Sequence, residues 1–285
     1  MRVLNKAVRI VDLLAASRQG LRLKEVADSL RLNKATALRV LRSLESHSLV
    51  RRDSQGCFFI GNRILWWEAY QRQNLDFLAM VRSTLERLRE LTSETATFSV
   101  SISDRMVVVD QATSFQVTSS RFGLGTSAPL TVGASGKVML AHMDRKAREK
   151  FLKEAASNGS QRPGPQERKR VETELEQCRK RGVAVTHGER DSNTTSIAAP
   201  ILGPAGEVLG VISVNGPSER LASSRVKEIA SVLLDELARL TAQLDQVSTK
   251  AILPPNGKLL KRSDPYGPRI RSSLKQQPYD ELTQG

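Results

Sequence analysis

The chain has 285 residues, 39% of them hydrophobic, and a formal net charge of +14 at pH 7. This length exceeds one typical domain, and this apolar content is enough for buried cores. No run of about 18 apolar residues is present, and Arg9 and Asp12 interrupt the apolar segment near the N-terminus, which argues against a membrane span and a signal peptide. We therefore expect a cytoplasmic protein of two domains, with no membrane partner.

The cysteines and histidines form no metal-binding or disulfide pattern. Cys57 and Cys178 lie far apart without a CxxC pair, and the three histidines, His47, His142 and His187, are isolated from one another. We expect no disulfide, no metal site and no cofactor.

The basic excess is concentrated near the N-terminus. Residues 1–63 contain 13 Lys or Arg against five Asp or Glu, whereas residues 64–253 have a net charge of only +3. A small and strongly basic N-terminal module is typical of a protein that contacts nucleic-acid phosphates.

The first 46 residues predict three helices. Apolar residues recur at helical spacing in residues 4–16, 24–30 and 33–46, and Asn33 is a suitable N-cap for the third helix. Two short helices, a three-residue connection and a basic helix predict a helix-turn-helix. The apolar stripe of the basic helix consists of Ala37, Leu38, Leu41 and Leu44.

A β-hairpin follows the helix-turn-helix. Residues 49–52 and 57–60 are predicted strands, joined by a turn at Asp53-Ser54-Gln55-Gly56. A hairpin in this position predicts the wing of a winged helix-turn-helix domain over residues 1–63. A generic three-helix bundle with a hairpin is the alternative, but order, spacing and charge favour the winged domain.

Residues 61–92 are largely helical, with a predicted break at Asn74. We therefore expect a linker helix over residues 64–76. Adjacent side chains on a helix point in different directions. Either one of Trp66 and Trp67 faces the winged module and the other a partner or the next domain, or both are buried in their own domain.

The pattern changes to alternation from Thr95 onward. Strands are predicted at residues 96–102, 106–111, 183–186, 196–201 and 208–215, and helices at residues 135–142, 144–155, 167–181 and 223–244. A mixed antiparallel sheet with segregated helices makes residues 77–250 an α+β domain. Residues 251–285 are polar and lack a period, so we expect a basic, disordered tail.

Four segments, in this order and spacing, resemble the IclR family of bacterial transcriptional regulators. They are LNKAVRIVDLLAA from residue 4, LKEVADSLRLNKATALRVLRSLESHSLVRRD from residue 23, PLTVGASGKVMLA from residue 129 and GVAVTHGERDSNTTSIAAPILGPAGEVLGVISVNGP from residue 182. The resemblance covers roughly residues 4–248. It implies a winged helix-turn-helix, a linker helix and a GAF/PAS-like effector-binding domain. It also implies a homodimer or tetramer on double-stranded DNA with a palindromic operator, and a small organic acid as effector.

The chain departs from the family pattern at three places. The family often has threonine at the position of Val132 or Gly133, an acidic residue near Thr186 or His187, and cysteine in place of Ser196. These departures bear on the identity of the effector and leave the expected fold unchanged.

The first turns of the basic helix are predicted to read base edges in the major groove. Arg39 contacts a guanine edge or a phosphate, Thr36 a phosphate or a thymine methyl, and Arg42 a phosphate. In the wing, either Arg51 or Arg52 reaches the backbone or the minor groove. The candidate DNA-binding residues are Arg22, Lys24, Lys34, Thr36, Ala37, Arg39, Arg42, Arg51 and Arg52.

The segment from Thr131 to Ala141 is the predicted centre of the effector site. It leads into a helix whose free N–H groups and positive dipole end suit a carboxylate. Two later strands are expected to form the opposite wall, and His187 is either a cation for an acid or an exposed loop residue. The candidate effector-binding residues are Thr131, Gly133, Ala134, Ser135, Gly136, Thr186, His187, Glu189, Ser196, Ser213 and Asn215.

An enzymatic function has little support in the sequence. In TVGASGKV, Thr131 replaces the first glycine of a phosphate loop, and Val138 stands where its Ser or Thr belongs. His187, Asp191 and Ser196 lie within ten residues but lack a nucleophile elbow, so we assign no catalytic residue. The alternatives to a DNA-binding regulator are a small-molecule-binding sensory or interaction protein and, less favoured, an enzyme. A DNA affinity that falls steeply with salt distinguishes the regulator.

Overall fold

The computed structural model describes residues 3–74, 76–116, 123–157, 165–203 and 206–247. The chain divides into two compact units, Met1–Asp76 and Phe77–Gly285. The tail expected at residues 251–285 lies outside the described residues.

The N-terminal unit has the order that the sequence predicts. Its elements are α1 Val3–Ala15, β1 Leu21–Arg22, α2 Leu23–Ser29, α3 Lys34–Ser46, β2 Val50–Arg52, β3 Cys57–Ile60 and α4 Arg63–Asn74. The strands form an antiparallel sheet in the order β1-β3-β2, so β1 joins the predicted hairpin as a third strand. The core between helices and sheet consists of Ile10, Leu14, Val26, Val40, Leu41, Leu44, Val50 and Phe58.

Polar side chains fix the ends of these elements. The Asn33 side chain accepts a hydrogen bond from the Ala35 N–H at 2.9 Å, as expected of an N-cap, because the first N–H groups of a helix have no partner within it. In the β2–β3 turn the Asp53 carboxylate accepts from the N–H groups of Gln55 at 3.0 Å and Cys57 at 2.8 Å. Gly56 completes this turn with a φ of 84°.

Helix α4 ends at Asn74, where the sequence predicts a break. Both of its tryptophans are exposed, Trp66 by 64% and Trp67 by 45%, and the neighbouring Leu65 by 65%. The alternative in which both tryptophans are buried in their own domain is therefore wrong.

The C-terminal unit is an α+β domain, as predicted. Its elements are α5 Asp76–Thr92, β4 Thr95–Ile102, β5 Arg105–Ala112, β6 Ser127–Pro129, α6 Ala134–His142, α7 Arg145–Ser157, α8 Pro165–Arg181, β7 Ala184–His187, β8 Thr194–Leu202, β9 Val208–Pro217 and α9 Ser223–Val247. The sheet order is β6-β5-β4-β9-β8-β7, and every neighbouring pair is antiparallel.

The two faces of this sheet pack against different helices, because successive side chains of a strand point to opposite faces. Phe98, Ile197 and Ile212 belong to the larger core, which contains residues of α5 and α9. Ala198 follows Ile197 in β8, and Val211 precedes Ile212 in β9, so both point to the opposite face. They belong to the core that contains residues of α6 and α8. The second face is where polar residues replace part of the apolar packing.

Among the described residues, no helix combines the length and apolar character needed to cross a membrane. The same residues contain no cluster of three or more His, Cys, Asp or Glu side chains arranged for a metal ion.

Candidate DNA-binding and ligand-binding sites

Helix α3 has one buried and one basic side. Lys34, Arg39 and Arg42 are exposed, and Thr36 is half-buried. The opposite side packs into the core through Ala37, Val40, Leu41 and Leu44. Helix α3 therefore presents its cations away from the core, on a surface that is open to a partner.

Two sequence-based assignments on α3 need correction. Ala37, expected among the DNA-contacting residues, has 0% exposure, so its methyl group is part of the core and is not available to DNA. Leu38, expected in the core, is only half-buried, and Val40 is buried at 4% exposure instead. The buried face of α3 therefore includes Val40 in place of Leu38 and is otherwise the face that the apolar stripe predicts.

The other candidate cations surround α3 in sequence. Arg22 and Lys24 are exposed at the start of α2, where the Glu25 carboxylate accepts from the Arg22 N–H at 2.7 Å. Arg51 and Arg52 are exposed on β2. All four cations are therefore accessible, as the prediction requires.

The two wing arginines lie on opposite faces of the hairpin. Arg52 is paired with Phe58, and its guanidinium lies 5.3 Å from the centre of that buried ring. Arg51 is paired with Phe59, and its guanidinium stacks 4.3 Å from that ring. The Phe59 ring in turn covers Gly20, where an added Cβ would stand 2.5 Å from a ring atom.

In the C-terminal unit, a cavity lies between the sheet and the start of α6. The empty space within it and in front of it, open solvent included, is about 350 Å³. Its apolar part comes from residues such as Met106 and Val108 of β5. Seven predicted effector-binding residues line it: Gly133, Ala134, Ser135, Gly136, Ser196, Ser213 and Asn215.

The start of α6 presents backbone donors to this cavity. Gly133 has a φ of 83° at the N-cap position, which favours glycine. The first intrahelical bond of this turn runs from the Lys137 N–H to the Gly133 carbonyl at 3.1 Å. In the part of the chain that the structure describes, the N–H groups of Ala134, Ser135 and Gly136 have no acceptor.

Gly136 is required by packing. A Cβ at this position would stand 2.2 Å from the Leu130 carbonyl oxygen, which is far inside van der Waals contact. The missing side chain thus allows the helix to begin directly against the preceding segment, with its N–H groups at the cavity.

The wall opposite α6 is a hydrogen-bonded polar network. Ser196 Oγ donates to Asn215 Oδ1 at 2.8 Å, and Asn215 Nδ2 donates to Thr97 Oγ1 and Ser213 Oγ, both at 3.1 Å. The Thr97 and Ser213 hydroxyls lie 2.8 Å apart. Ser99, which is 3% exposed, also lines the cavity, and its hydroxyl has no partner among the described residues.

Glu189 fixes the loop between β7 and β8 to α6. Its carboxylate accepts from the Gly133 N–H at 2.9 Å and forms an ion pair with Lys137 at 2.5 Å. Lys137 also forms an ion pair with Glu174 of α8. Burial lowers the pKa of Lys137, but its two carboxylate partners outweigh burial and the pKa is raised overall, so Lys137 stays charged.

Four predicted effector-binding residues do not line the cavity. Thr131 is exposed, and Thr186 is buried in β7 opposite Ser196. Glu189 binds Gly133 and Lys137 instead. His187 is exposed and bonds to Thr195 Oγ1 at 2.8 Å. Partial desolvation of the ring lowers the pKa of His187, and the charge of Glu189 opposes this, so the surroundings favour the neutral imidazole.

Sequence reasoning missed Thr97, Ser99 and Arg190, which also line the cavity. Val132, which lies in the predicted central segment, lines it too. The alternation in β4 places Thr97 and Ser99 on one face, but no signal in the sequence says which face meets α6. Arg190 directly follows Glu189 in a segment that the sequence marks only as a loop. Its place in the cavity depends on packing against Gly133.

A winged helix-turn-helix and an α+β unit with a polar cavity, in one chain, define a transcriptional regulator with a DNA-binding and an effector-binding domain. Residues 3–54 match the IclR helix-turn-helix domain, and residues 70–242 match the C-terminal domain of bacterial transcriptional regulators of the IclR type. The chain belongs to the IclR family of transcriptional regulators. It is a regulator and not an enzyme.

Full-length relatives agree with this assignment. The chain is 30% identical over 248 residues to the HTH-type transcriptional regulator BhcR of Paracoccus denitrificans, a match that covers 85% of this chain and 86% of that protein. It is 28% identical over 244 residues to the HTH-type transcriptional repressor AllR of Escherichia coli, covering 84% and 87%.

Solved structures share the fold. An IclR transcriptional regulator from Alicyclobacillus acidocaldarius has a TM-score of 0.72 at 24% identity, covering 84% of this chain and 97% of its own. One from a Silicibacter species has a TM-score of 0.75 at 22% identity, covering 89% and 98%.

Proposed function

We propose that this regulator acts in the cytoplasm and binds a palindromic operator through α3 and the wing. We further propose that a small carboxylate in the cavity of the C-terminal unit alters its operator affinity. The observation that carries the effector class is the donor-rich lining of the cavity: three backbone N–H groups without acceptors at the start of α6, and no carboxylate among the described lining residues.

The polar wall adds to this excess of donors. Asn215 donates to both Thr97 and Ser213, and only one of these two hydroxyls donates to the other. One hydroxyl proton of Thr97 or Ser213 is therefore left to donate to an acceptor in the cavity, and the Ser99 hydroxyl supplies a second such proton. Unpaired donors in a buried site favour a ligand that is rich in acceptors, which a carboxylate is.

Exposed arginines on α3 support the DNA-binding role of that helix. Arg39 and Arg42 lie on the side of α3 that faces away from its buried residues. Each phosphate contact releases counterions, so the operator affinity of such a surface falls steeply with salt.

Exposed apolar side chains support a homodimer or tetramer. Val3, Leu4 and Val8 on α1 are 51% to 72% exposed, and Leu65, Trp66 and Trp67 on α4 are 45% to 65% exposed. Apolar patches of this kind are typical of protein–protein contacts. Light scattering of the full chain measures the oligomeric state directly, and a monomer at micromolar concentration would contradict a homodimer or tetramer.

The test of the effector proposal combines two measurements. Isothermal titration with short-chain and aromatic acids measures binding to the full chain, and fluorescence anisotropy with a labelled operator measures the effect on DNA affinity. We expect at least one acid to bind and to shift the operator affinity. An absence of binding by every acid would contradict a carboxylate effector, and DNA binding without salt dependence would contradict the DNA-binding surface.

A further inference from the structure

One side chain in the cavity lining carries a charge among the described residues, and it is Arg190. Arg190 lies in the loop between β7 and β8. Its Cδ and Cγ atoms stand 3.1 Å and 3.2 Å from the position that a Cβ on Gly133 would take. The aliphatic part of the arginine therefore packs against the N-cap of α6, the end of the helix that carries the unbonded N–H groups.

The loop that carries Arg190 is fixed on both sides. The Glu189 carboxylate accepts hydrogen bonds from the Gly133 N–H and from Lys137 Nζ. The Gly188 N–H donates to the Thr194 carbonyl at 2.9 Å, and Gly188 has a φ of 69°, which closes the turn. Arg190 is thus held at the cavity by backbone and side-chain contacts of its neighbours, and its position does not depend on a ligand.

The electrostatic surroundings of Arg190 favour an anion. Burial, and to a smaller degree the nearby charge of Arg105, lower the pKa of Arg190, although a guanidinium remains protonated at neutral pH. The positive end of the α6 dipole lies at the same place. The Glu189 carboxylate is also at this helix end, but it is paired with the Gly133 N–H and with Lys137. An anion bound there is attracted by the charges of Arg190 and Arg105 and by the helix dipole, whereas a neutral ligand of the same shape is not.

We infer that Arg190 determines specificity in the effector site, by pairing its guanidinium with the carboxylate that the N–H groups of α6 also bind. This inference rests on the proposed effector-binding function and assigns the cation that sequence reasoning sought in His187. A planar guanidinium binds a carboxylate through two parallel hydrogen bonds, whereas an ammonium binds as a point charge, so lysine replaces it only in part.

The experiment is isothermal titration of the full-length protein with pyruvate and benzoate and with their amides, pyruvamide and benzamide. For an acid that binds the wild type, we expect Arg190→Gln to weaken binding about ten- to a hundredfold, because a hydrogen-bonded charge is lost. The acid affinity of Arg190→Lys should lie between the affinities of the wild type and Arg190→Gln. The matched amides should bind weakly to the wild type and lose nothing further in the variant.

Arg145→Gln is the matched control, because Arg145 on α7 has a 75% exposed side chain and does not line the cavity. It removes the same charge, and we expect unchanged affinity. Thermal unfolding of each variant checks the fold, and Arg190→Lys keeps the test decisive if Arg190→Gln fails to fold.

The outcomes separate the two proposals. Unchanged acid affinity in Arg190→Gln, or an equal loss for acid and amide, overturns the role of Arg190 and leaves the carboxylate effector in place. Failure of every acid to bind the wild type overturns the carboxylate effector, and the role of Arg190 with it.

Discussion

The N-terminal unit carries its candidate functional cations outside its core, whereas the C-terminal unit holds its candidate polar groups between a sheet and a helix. Arg39 and Arg42 are exposed on a helix whose other side is apolar. Ser213 and Asn215 are each 3% exposed and bonded to each other. The first arrangement suits a large charged partner, and the second suits a small molecule that replaces water among buried donors.

This difference predicts different responses to substitution. A surface cation is replaced without loss of the fold, so its removal affects binding alone. A group at the cavity also supports the packing of α6 on the sheet, so its replacement affects stability and binding together.

The largest effect is expected for Arg39→Ala in the N-terminal unit. Because Arg39 is exposed on α3, we expect specific operator binding to be lost, by about ten- to a hundredfold or more, with little change in the unfolding temperature. Fluorescence anisotropy with operator and non-operator DNA measures the loss. Arg18→Ala removes an exposed charge outside α3 and is the matched control. Unchanged operator affinity would contradict the proposal that α3 reads the operator.

The N-terminal unit could be predicted closely from the sequence because its signals are local. Asn33 as N-cap, the Asp53–Gly56 turn and the break at Asn74 all lie where the sequence places them. The error at Ala37 arose because a residue in the first turn of a helix was assigned to DNA although it also belongs to the apolar stripe.

The cavity could be predicted only in part because it depends on contacts distant in sequence. Gly133 was found because it comes just before a clear helix signal, and Ser196 because it begins a clear strand signal. Thr97 required knowledge that β4 lies beside β9, and Arg190 required its contact with Gly133. The edge strand β6 was missed because it has only three residues and ends in proline.

The next effect is expected for Gly136→Ala in the C-terminal unit. Alanine ordinarily stabilises a helix relative to glycine, but here its Cβ would collide with the Leu130 carbonyl oxygen. We expect a loss of about 1 to 3 kcal/mol in the free energy of unfolding, together with weaker acid binding. Denaturant unfolding and titration measure the two effects.

Gly123→Ala is the matched control for this substitution. A Cβ at Gly123 meets nothing within 4 Å, and we expect a change within about 0.5 kcal/mol. Equal stability of both variants would show that the close approach at Gly136 is easily relieved.

A smaller effect separates the two wing arginines. Arg52 is paired with Phe58, which belongs to the same core as Val40 and Leu41 of α3, so Arg52 lies on the face of the hairpin that is turned toward this core. Arg51 lies on the other face against Phe59. We expect Arg52→Gln to reduce the slope of log affinity against log salt by about 1, through loss of one phosphate contact.

Arg51→Gln is the internal control for the wing, because it removes the same charge one residue away. We expect its salt slope to equal that of the wild type. A reduced slope in Arg51→Gln with an unchanged slope in Arg52→Gln would place the DNA on the opposite face of the hairpin.

The smallest expected effect is a difference in thiol reactivity between the two cysteines, one in each unit. Cys57 is half-buried in the wing, whereas Cys178 is buried in α8. Burial, with a smaller contribution from Glu174, raises the pKa of the Cys178 thiol to about 12. Because the thiolate is the reactive form, Cys178 should be inert near neutral pH unless the unit unfolds.

We expect a disulfide reagent such as DTNB to modify one thiol rapidly in native protein and two in denaturant. Cys57→Ser should then remove the rapid phase, and rapid modification of Cys178 in that variant would mean that α8 opens readily from the core beside the cavity.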